Sequence, residues 1–183
     1  RDVASSTAAL LRRLRQFRAD SARFAATRQG AGLQPISAAT LAESLADVFA
    51  ERLRERQLTL QTGPGMERNL RQGGSRLRDS ILGNLLSNSI KYAPSGSRLH
   101  LSIEASDGGT WLRLDDAGPG FPADALQDLA AGIAPRPRPG SDGELGSGFG
   151  LLLAQSYARD LGGRLILSNR VEGGAQAELW LPD

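Results

Sequence analysis

The stretch NLLSNSIKY, residues 84–92, carries the most information about the fold of this chain. Its polar residues Asn84, Asn88, Lys91 and Tyr92 are spaced so that they share one side of a helix, while the apolar residues between them would face a core. Two carboxamide oxygens can hold a hard cation, and an ammonium group can contact phosphate oxygens. The stretch therefore predicts a helix with one apolar face and one ligand-binding face.

The composition is typical of a soluble globular protein. The chain has 183 residues, of which 40% are hydrophobic and 23% charged, with a net charge of +2; this length fits one ordinary domain with a short appendage. No basic run is interleaved with aromatic residues, which argues against nucleic-acid binding. The absence of cysteine excludes disulfides and thiolate metal sites and is in keeping with the cytoplasm.

The sequence was also searched for membrane-spanning and targeting segments. No apolar run approaches the ~18 residues of a membrane-spanning helix, and no signal peptide is visible. Because the chain begins with Arg1 and not with Met, we expect it to be part of a longer protein whose membrane or sensor region lies upstream.

Hydrophobic periodicity and turn residues predict a regular order of elements. Helices are predicted at residues 2–28, 75–92, 123–130 and 149–161. A further helix, capped by Ser37 or Thr40, is predicted from the apolar positions that run from Leu41 through Val48 to Leu53. The predicted strands cover residues 58–62, 98–105, 110–116, 164–169 and 175–181, with a weaker one at 69–71. We predict an α/β (α+β) two-layer sandwich, with a mixed, mostly antiparallel sheet, helices on one face and a preceding N-terminal helix.

Two glycine-rich segments follow the opening stretch. Asp116-Ala117-Gly118-Pro119-Gly120 comes directly after a predicted strand, where a carboxylate can accept a hydrogen bond from an exocyclic amine such as that of adenine. Gly146-Ser147-Gly148-Phe149-Gly150 precedes a predicted helix, whose free backbone N–H groups favour anions. Neither segment is specific alone, and the second lacks the Gly-Lys-Ser/Thr ending of a P-loop.

The order and spacing of the three segments together resemble the catalytic ATP-binding domain of sensor histidine kinases, in the GHKL superfamily. Residues 84–92 are similar to the family's N box, residues 116–120 to its G1 box and residues 146–150 to its G2 box. The resemblance implies a catalytic ATP-binding domain over residues 36–183. It also implies that residues 1–35 are the C-terminal part of a dimerisation and histidine-phosphotransfer hairpin with its linker.

The resemblance implies ATP and Mg²⁺ as ligands of the helix at 84–92. Asn88 would ligate Mg²⁺, and Asn84 would hydrogen-bond phosphate or metal-bound water. Lys91 would contact a phosphate, and Tyr92 would pack near the sugar or the base. Asn84, Asn88 and Lys91 are the residues expected to act in catalysis.

The two glycine boxes would complete the nucleotide site. By the resemblance, Asp116 accepts from the adenine amine, and Gly118 and Gly120 make room for the ring. The loop at about 130–147 would be the ATP lid. The remaining residues expected to contact the nucleotide come from this lid and the G2 box: Arg136, Arg138, Gly146, Gly148, Phe149, Gly150 and Leu151.

Residue 84 favours transfer over hydrolysis. By the resemblance, superfamily members that hydrolyse ATP have at this position a Glu that activates water. Here the residue is Asn84, and a carboxamide cannot take a proton near neutral pH. We therefore expect the catalytic portion of a two-component sensor histidine kinase, which passes the γ-phosphoryl group of ATP to a histidine outside this chain. The implied partners are the upstream phosphoacceptor domain, a response regulator and a second copy of the full-length protein. The implied location is the cytoplasmic domain of an inner-membrane sensor, attached through segments outside this chain.

Two alternatives remain open. One is a GHKL serine kinase of the anti-sigma type, against which the amphipathic N-terminal helix argues. The other is a regulatory module that binds nucleotide without transfer; it is favoured slightly because residues 126–134 lack the Phe found there in many members. His100 falls on the polar phase of a strand, so we expect a surface histidine and not a phosphoacceptor.

Overall fold

The structure is a computed structural model that describes residues 35–71, 74–141, 143 and 148–183. The predicted helix at residues 2–28 lies outside the described residues. The proposed division of the chain at residue 35 therefore stays a prediction.

The described residues alternate between helices and short strands. The helices are α1 (Ala38–Val48), α2 (Ala50–Glu55), α3 (Gly83–Tyr92), α4 (Ala123–Ala130) and α5 (Phe149–Asp160), with a π-helical segment (Arg76–Leu82) leading directly into α3. The strands are β1 (Ile36–Ser37), β2 (Thr59–Thr62), β3 (Asn69–Leu70), β4 (Arg98–Ser106), β5 (Gly109–Asp115), β6 (Arg164–Asn169) and β7 (Ala175–Pro182).

Five strands form one sheet in the order β2-β4-β5-β7-β6. The β2–β4 pair is parallel and the other three pairs are antiparallel. The prediction of a mixed, mostly antiparallel sheet is confirmed. The β4–β5 hairpin turns at Asp107-Gly108, where Gly108 has the positive φ of +72° that hairpin turns favour. Strands β1 and β3 pair separately in a small antiparallel ribbon.

The core lies between the sheet and the helices. Alternate residues of β4 (Leu99, Leu101 and Ile103) are buried, and the apolar residues of α3 are buried in the same cluster. Burying one such side chain stabilises the fold by about 1.5–3 kcal/mol. The two-layer fold class is thereby confirmed, and the polar side of α3 is left free to line a cavity.

Two predicted helices differ in detail from the structure. The second predicted helix divides at Phe49 into α1 and α2. Val48, one of its predicted apolar positions, is 64% exposed at the end of α1. Ser37 is the N-cap of α1, and the Ser37 Oγ accepts a hydrogen bond from the Thr40 N–H at 3.1 Å. The third helix begins as a π-helix and not as an α-helix, a form that often marks functional sites.

Candidate functional site

A cavity of about 470 Å³ opens between α3, α4, α5 and the loops that follow β5 and α4. Its volume is typical of a site for a small organic ligand. The polar face of α3 supplies one wall, formed by Asn84, Ser87, Asn88, Lys91 and Tyr92. The helical spacing therefore brings these side chains to one cavity.

The carboxamide of Asn84 is held from behind. Its Nδ2 donates to the carbonyl of Ser80 in the π-helical segment at 2.6 Å. Its Oδ1 faces Gly150, where an added Cβ would lie 3.1 Å away. Because the Asn84 Nδ2 group is hydrogen-bonded to Ser80, the Asn84 Oδ1 atom points toward the start of α5. Asn88, one turn later, is half-buried in the cavity wall.

Lys91 is buried, with 9% of its surface exposed. Its Nζ donates to the carbonyl of Arg138 at 3.0 Å and lies 4.7 Å from the centre of the Tyr92 ring. The Tyr92 hydroxyl donates to the same carbonyl at 3.2 Å. The loop after α4 is thus fixed to the end of α3, and a carbonyl and an aromatic face offset the cost of burying the ammonium.

Asp116 follows β5 and is 4% exposed. Its Oδ1 accepts from the N–H groups of Gly118 at 2.8 Å and Ala175 at 3.2 Å. No described residue donates to Oδ2. A buried carboxylate beside a cavity, with one oxygen fixed and the other unpaired, is suited to accept from a donor on a ligand.

Two glycines pack closely against Asp116, one at its carboxylate and one at its backbone. A Cβ on Gly118 would lie 3.0 Å from Asp116 Oδ1, and one on Gly174, whose φ is +98°, would lie 1.9 Å from the Asp116 carbonyl oxygen. Gly118 packs behind Asp116 and does not line the cavity, whereas Gly120 does. Gly174 was not among the predicted site residues; its only sequence signal is the Gly-Gly pair just before β7.

The second glycine box is described in part. Gly146 lies outside the described residues. Gly148 is the N-cap of α5 with φ +79°, and a Cβ there would lie 2.3 Å from the Pro135 carbonyl oxygen. Gly148, Gly150 and Leu151 line the cavity, whereas Phe149 does not.

Arg136 and Arg138, in the loop after α4, differ in their contacts. Both line the cavity, but the guanidinium of Arg138 binds both carboxylate oxygens of Asp124 on α4 at 2.8 Å. The side chains of this pair are 45% and 58% exposed, so their ion pair stabilises the fold by about 0–1 kcal/mol at most. Ser141, not singled out in the sequence, donates its N–H to the Lys91 carbonyl at 3.0 Å.

His100 lies away from this cavity. It alternates with the buried residues of β4, and so occupies the face of the sheet opposite the helices. Its ring packs on the backbone of Gly63, where a Cβ would lie 2.7 Å from Cε1.

Within the part of the chain that the structure describes, every helix is too short or too polar to span a membrane.

A sequence model of the family described as histidine kinase-, DNA gyrase B- and HSP90-like ATPases matches residues 73–183. The chain belongs to this family. The resemblance found in the sequence is therefore confirmed, and family membership supports ATP as a ligand.

Named relatives agree with this assignment. The chain is 41% identical over 101 residues to the sensor histidine kinase GtrS of Pseudomonas aeruginosa, covering 55% of this chain and 20% of that protein. It is 32% identical over 154 residues to the sensor protein CreC of Escherichia coli, covering 84% of this chain and 32% of that protein. The chain thus spans between a fifth and a third of these relatives.

Among solved structures, the catalytic domain of the histidine kinase ThkA is similar to this chain with a TM-score of 0.65. The match has 18% sequence identity and covers 83% of this chain and 96% of that one. This likeness bears on the fold, and it agrees with the sheet and helix layers described above.

Proposed function

We propose that this chain is the ATP-binding catalytic portion of a two-component sensor histidine kinase, which transfers the γ-phosphoryl group of ATP to a histidine elsewhere. The observation that carries the proposal is the cavity itself, where the polar face of α3 meets the buried carboxylate of Asp116. The sensor histidine kinases among the relatives support the same activity. By extension we propose the partners and location expected from the sequence: a homodimer, a response regulator and a cytoplasmic position on an inner-membrane sensor.

The adenine ring would occupy the Asp116 end of the cavity. Asp116 Oδ2 would accept from the exocyclic amine, while the Gly118 and Ala175 N–H groups hold Oδ1 in place. A site built around a buried acceptor rejects rings that lack the matching donor, because the acceptor would then be buried unpaired. The proposed site is therefore selective for adenine.

The phosphates would lie along α3 and the start of α5. Asn84, Asn88 and Lys91 face this part of the cavity, and Gly148 and Gly150 let the backbone of α5 approach it. Mg²⁺ fits this donor set, since it usually takes one or two protein oxygens and completes its shell with phosphate oxygens and water. Asn88 would hold the ion, which when bound neutralises charge on the phosphates.

The proposed chemistry is transfer and not hydrolysis. A histidine ring nitrogen forms a bond to the γ-phosphorus, the bond from that phosphorus to the bridging β–γ oxygen breaks, and ADP leaves with the electron pair. Positioning and charge neutralisation carry most of such a step. Asn84 offers a carboxamide where a hydrolase needs a base to activate water.

The acceptor in this proposal is not His100. It is the only histidine in the chain, and it lies on the opposite face of the sheet from α3. The acceptor histidine would therefore come from another segment of the full-length protein or from a second molecule.

The proposal is tested with the full chain, ATP labelled at the γ-phosphate, and a histidine-bearing two-helix hairpin from a sensor kinase supplied in trans. We expect Mg²⁺-dependent ATP binding, little phosphate release, no label on the chain alone, and acid-labile label on the hairpin. Label on a serine would instead favour the anti-sigma type of kinase. Binding without any transfer would favour a regulatory module, and fast phosphate release would identify an ATPase.

A further inference from the structure

The side chain of Asn169, at the end of the edge strand β6, binds the backbone of a residue far from it in sequence. Its Oδ1 accepts from the Phe121 N–H at 2.6 Å, and its Nδ2 donates to the Phe121 carbonyl at 2.8 Å. One carboxamide therefore satisfies both backbone groups of one residue, in the manner of a strand pair. We call these two hydrogen bonds the Asn169 clamp.

The Asn169 clamp fits the glycine that precedes Phe121. Gly120 has a φ of +77°, and a Cβ there would lie 2.6 Å from Asn169 Oδ1. A side chain at residue 120 would push the carboxamide away, so the clamp needs glycine at this position. Glycine at position 120 is therefore explained by the Asn169 clamp as well as by the space that a nucleotide ring would need.

The clamped segment is a wall of the cavity. Residues 119–122 all line it, whereas Asn169 does not. Pro119 and Pro122 have no N–H group to donate, so the Phe121 N–H is one of few donors by which this segment can be fixed. The wall begins three residues after Asp116, and its distance from that carboxylate depends on how the segment is held.

We propose that Asn169 is a positioning residue for nucleotide binding, which holds the Gly120–Phe121 wall at the distance from Asp116 that an adenine ring requires. The inference rests on the proposed function, which assigns the Asp116 end of the cavity to the base. Asn169 acts through the wall and does not touch the ligand.

If Asn169 has this role, its substitution should affect binding differently from substitution of residues near the phosphates. Loss of the clamp loosens the base site alone, so affinity for ADP and ATP falls by one common factor. The preference for ATP over GTP also falls, because a displaced wall no longer holds the ring against Asp116. A residue that only stabilised the fold would leave both properties unchanged in folded protein.

The test compares Asn169→Ala and Asn169→Asp with the wild-type chain by calorimetry, using ADP, ATP and GTP with Mg²⁺ at a temperature where circular dichroism shows each variant folded. Two lost hydrogen bonds should weaken ADP and ATP binding by about tenfold each. Asn169→Asp keeps the shape of the side chain but places an oxygen against the Phe121 carbonyl, so a similar loss is expected. It carries the test if the alanine variant does not fold.

Ser168→Ala is the matched control, since it lies next to Asn169 on β6 and its hydroxyl has no partner among the described residues. Its affinities should equal those of the wild type. Unchanged ADP and ATP affinities in both Asn169 variants, or a loss confined to ATP, would overturn the inference. If the wild-type chain itself bound no nucleotide, the proposed function would fail first and this inference with it.

Discussion

Two adjacent glycines offer a matched test of how tightly the backbone is built around Asp116. Gly173 and Gly174 have φ values of +94° and +98°, a region that side chains disfavour. A Cβ on Gly173 would meet no atom within 4 Å, whereas one on Gly174 would lie 1.9 Å from the Asp116 carbonyl oxygen. Gly173→Ala therefore adds backbone strain alone, and Gly174→Ala adds the same strain and a collision.

The magnitudes follow from this difference. A residue held in such a backbone conformation costs about 1–3 kcal/mol, and this cost applies to both variants. The collision in Gly174→Ala should add about 1–3 kcal/mol, as other overpacked sites do. The gain from a stiffer unfolded chain, about 0.4–1 kcal/mol, is common to both and cancels in the comparison.

Urea unfolding followed by tryptophan fluorescence measures both variants, because Trp111 and Trp180 are paired across β5 and β7. We expect Gly174→Ala to be the less stable variant and also to bind adenine nucleotides more weakly. Its collision displaces Ala175, which exchanges hydrogen bonds with Asp116 at 3.0 and 3.2 Å. Equal free energies of unfolding for the two variants would refute this reasoning, as would wild-type nucleotide affinity in Gly174→Ala.

Three further substitutions test separate parts of the site. Asp116→Ala should weaken ADP and ATP binding alike, by about tenfold or more, because it removes the proposed acceptor for the base; calorimetry showing full affinity would contradict that role. Asn88→Ala should reduce the gain in ATP affinity that Mg²⁺ gives while leaving metal-free binding unchanged, and a titration in EDTA separates the two terms. Asp124→Ala should change the free energy of unfolding by less than about 1 kcal/mol, because its pair with Arg138 is exposed, and a larger loss in urea unfolding would show that the pair matters more than its exposure indicates.

Local patterns were enough to predict much of the fold. The 3.6-residue period identified the polar face of α3 that lines the cavity, since one apolar stripe and one polar stripe at that spacing are typical of a helix. Alternation identified β4 and β5, and Gly108 marks the turn between them. The division of the second helix at Phe49 was not predicted, because the apolar positions keep helical spacing on both sides of it.

Contacts between distant segments could not be predicted in this way. Asn169 and Phe121 are far apart in sequence, and a strand-ending asparagine gives no sign of the backbone that it binds. The position of Gly174 against Asp116 depends equally on the pairing of β5 with β7. The position of Arg138 in a loop could be predicted, but its ion pair with Asp124 could not, because nothing in the sequence shows that the two residues meet.

The hydrogen bond from Lys91 to the Arg138 carbonyl has a consequence for binding measurements. Any phosphate that Lys91 contacts through this donor must compete with an acceptor that belongs to the protein itself. The measured dissociation constant then equals the intrinsic value divided by the fraction of molecules in which the carbonyl has moved aside. Changes in the loop at 138–141 can therefore tighten nucleotide binding without touching the nucleotide, simply by removing an internal competitor.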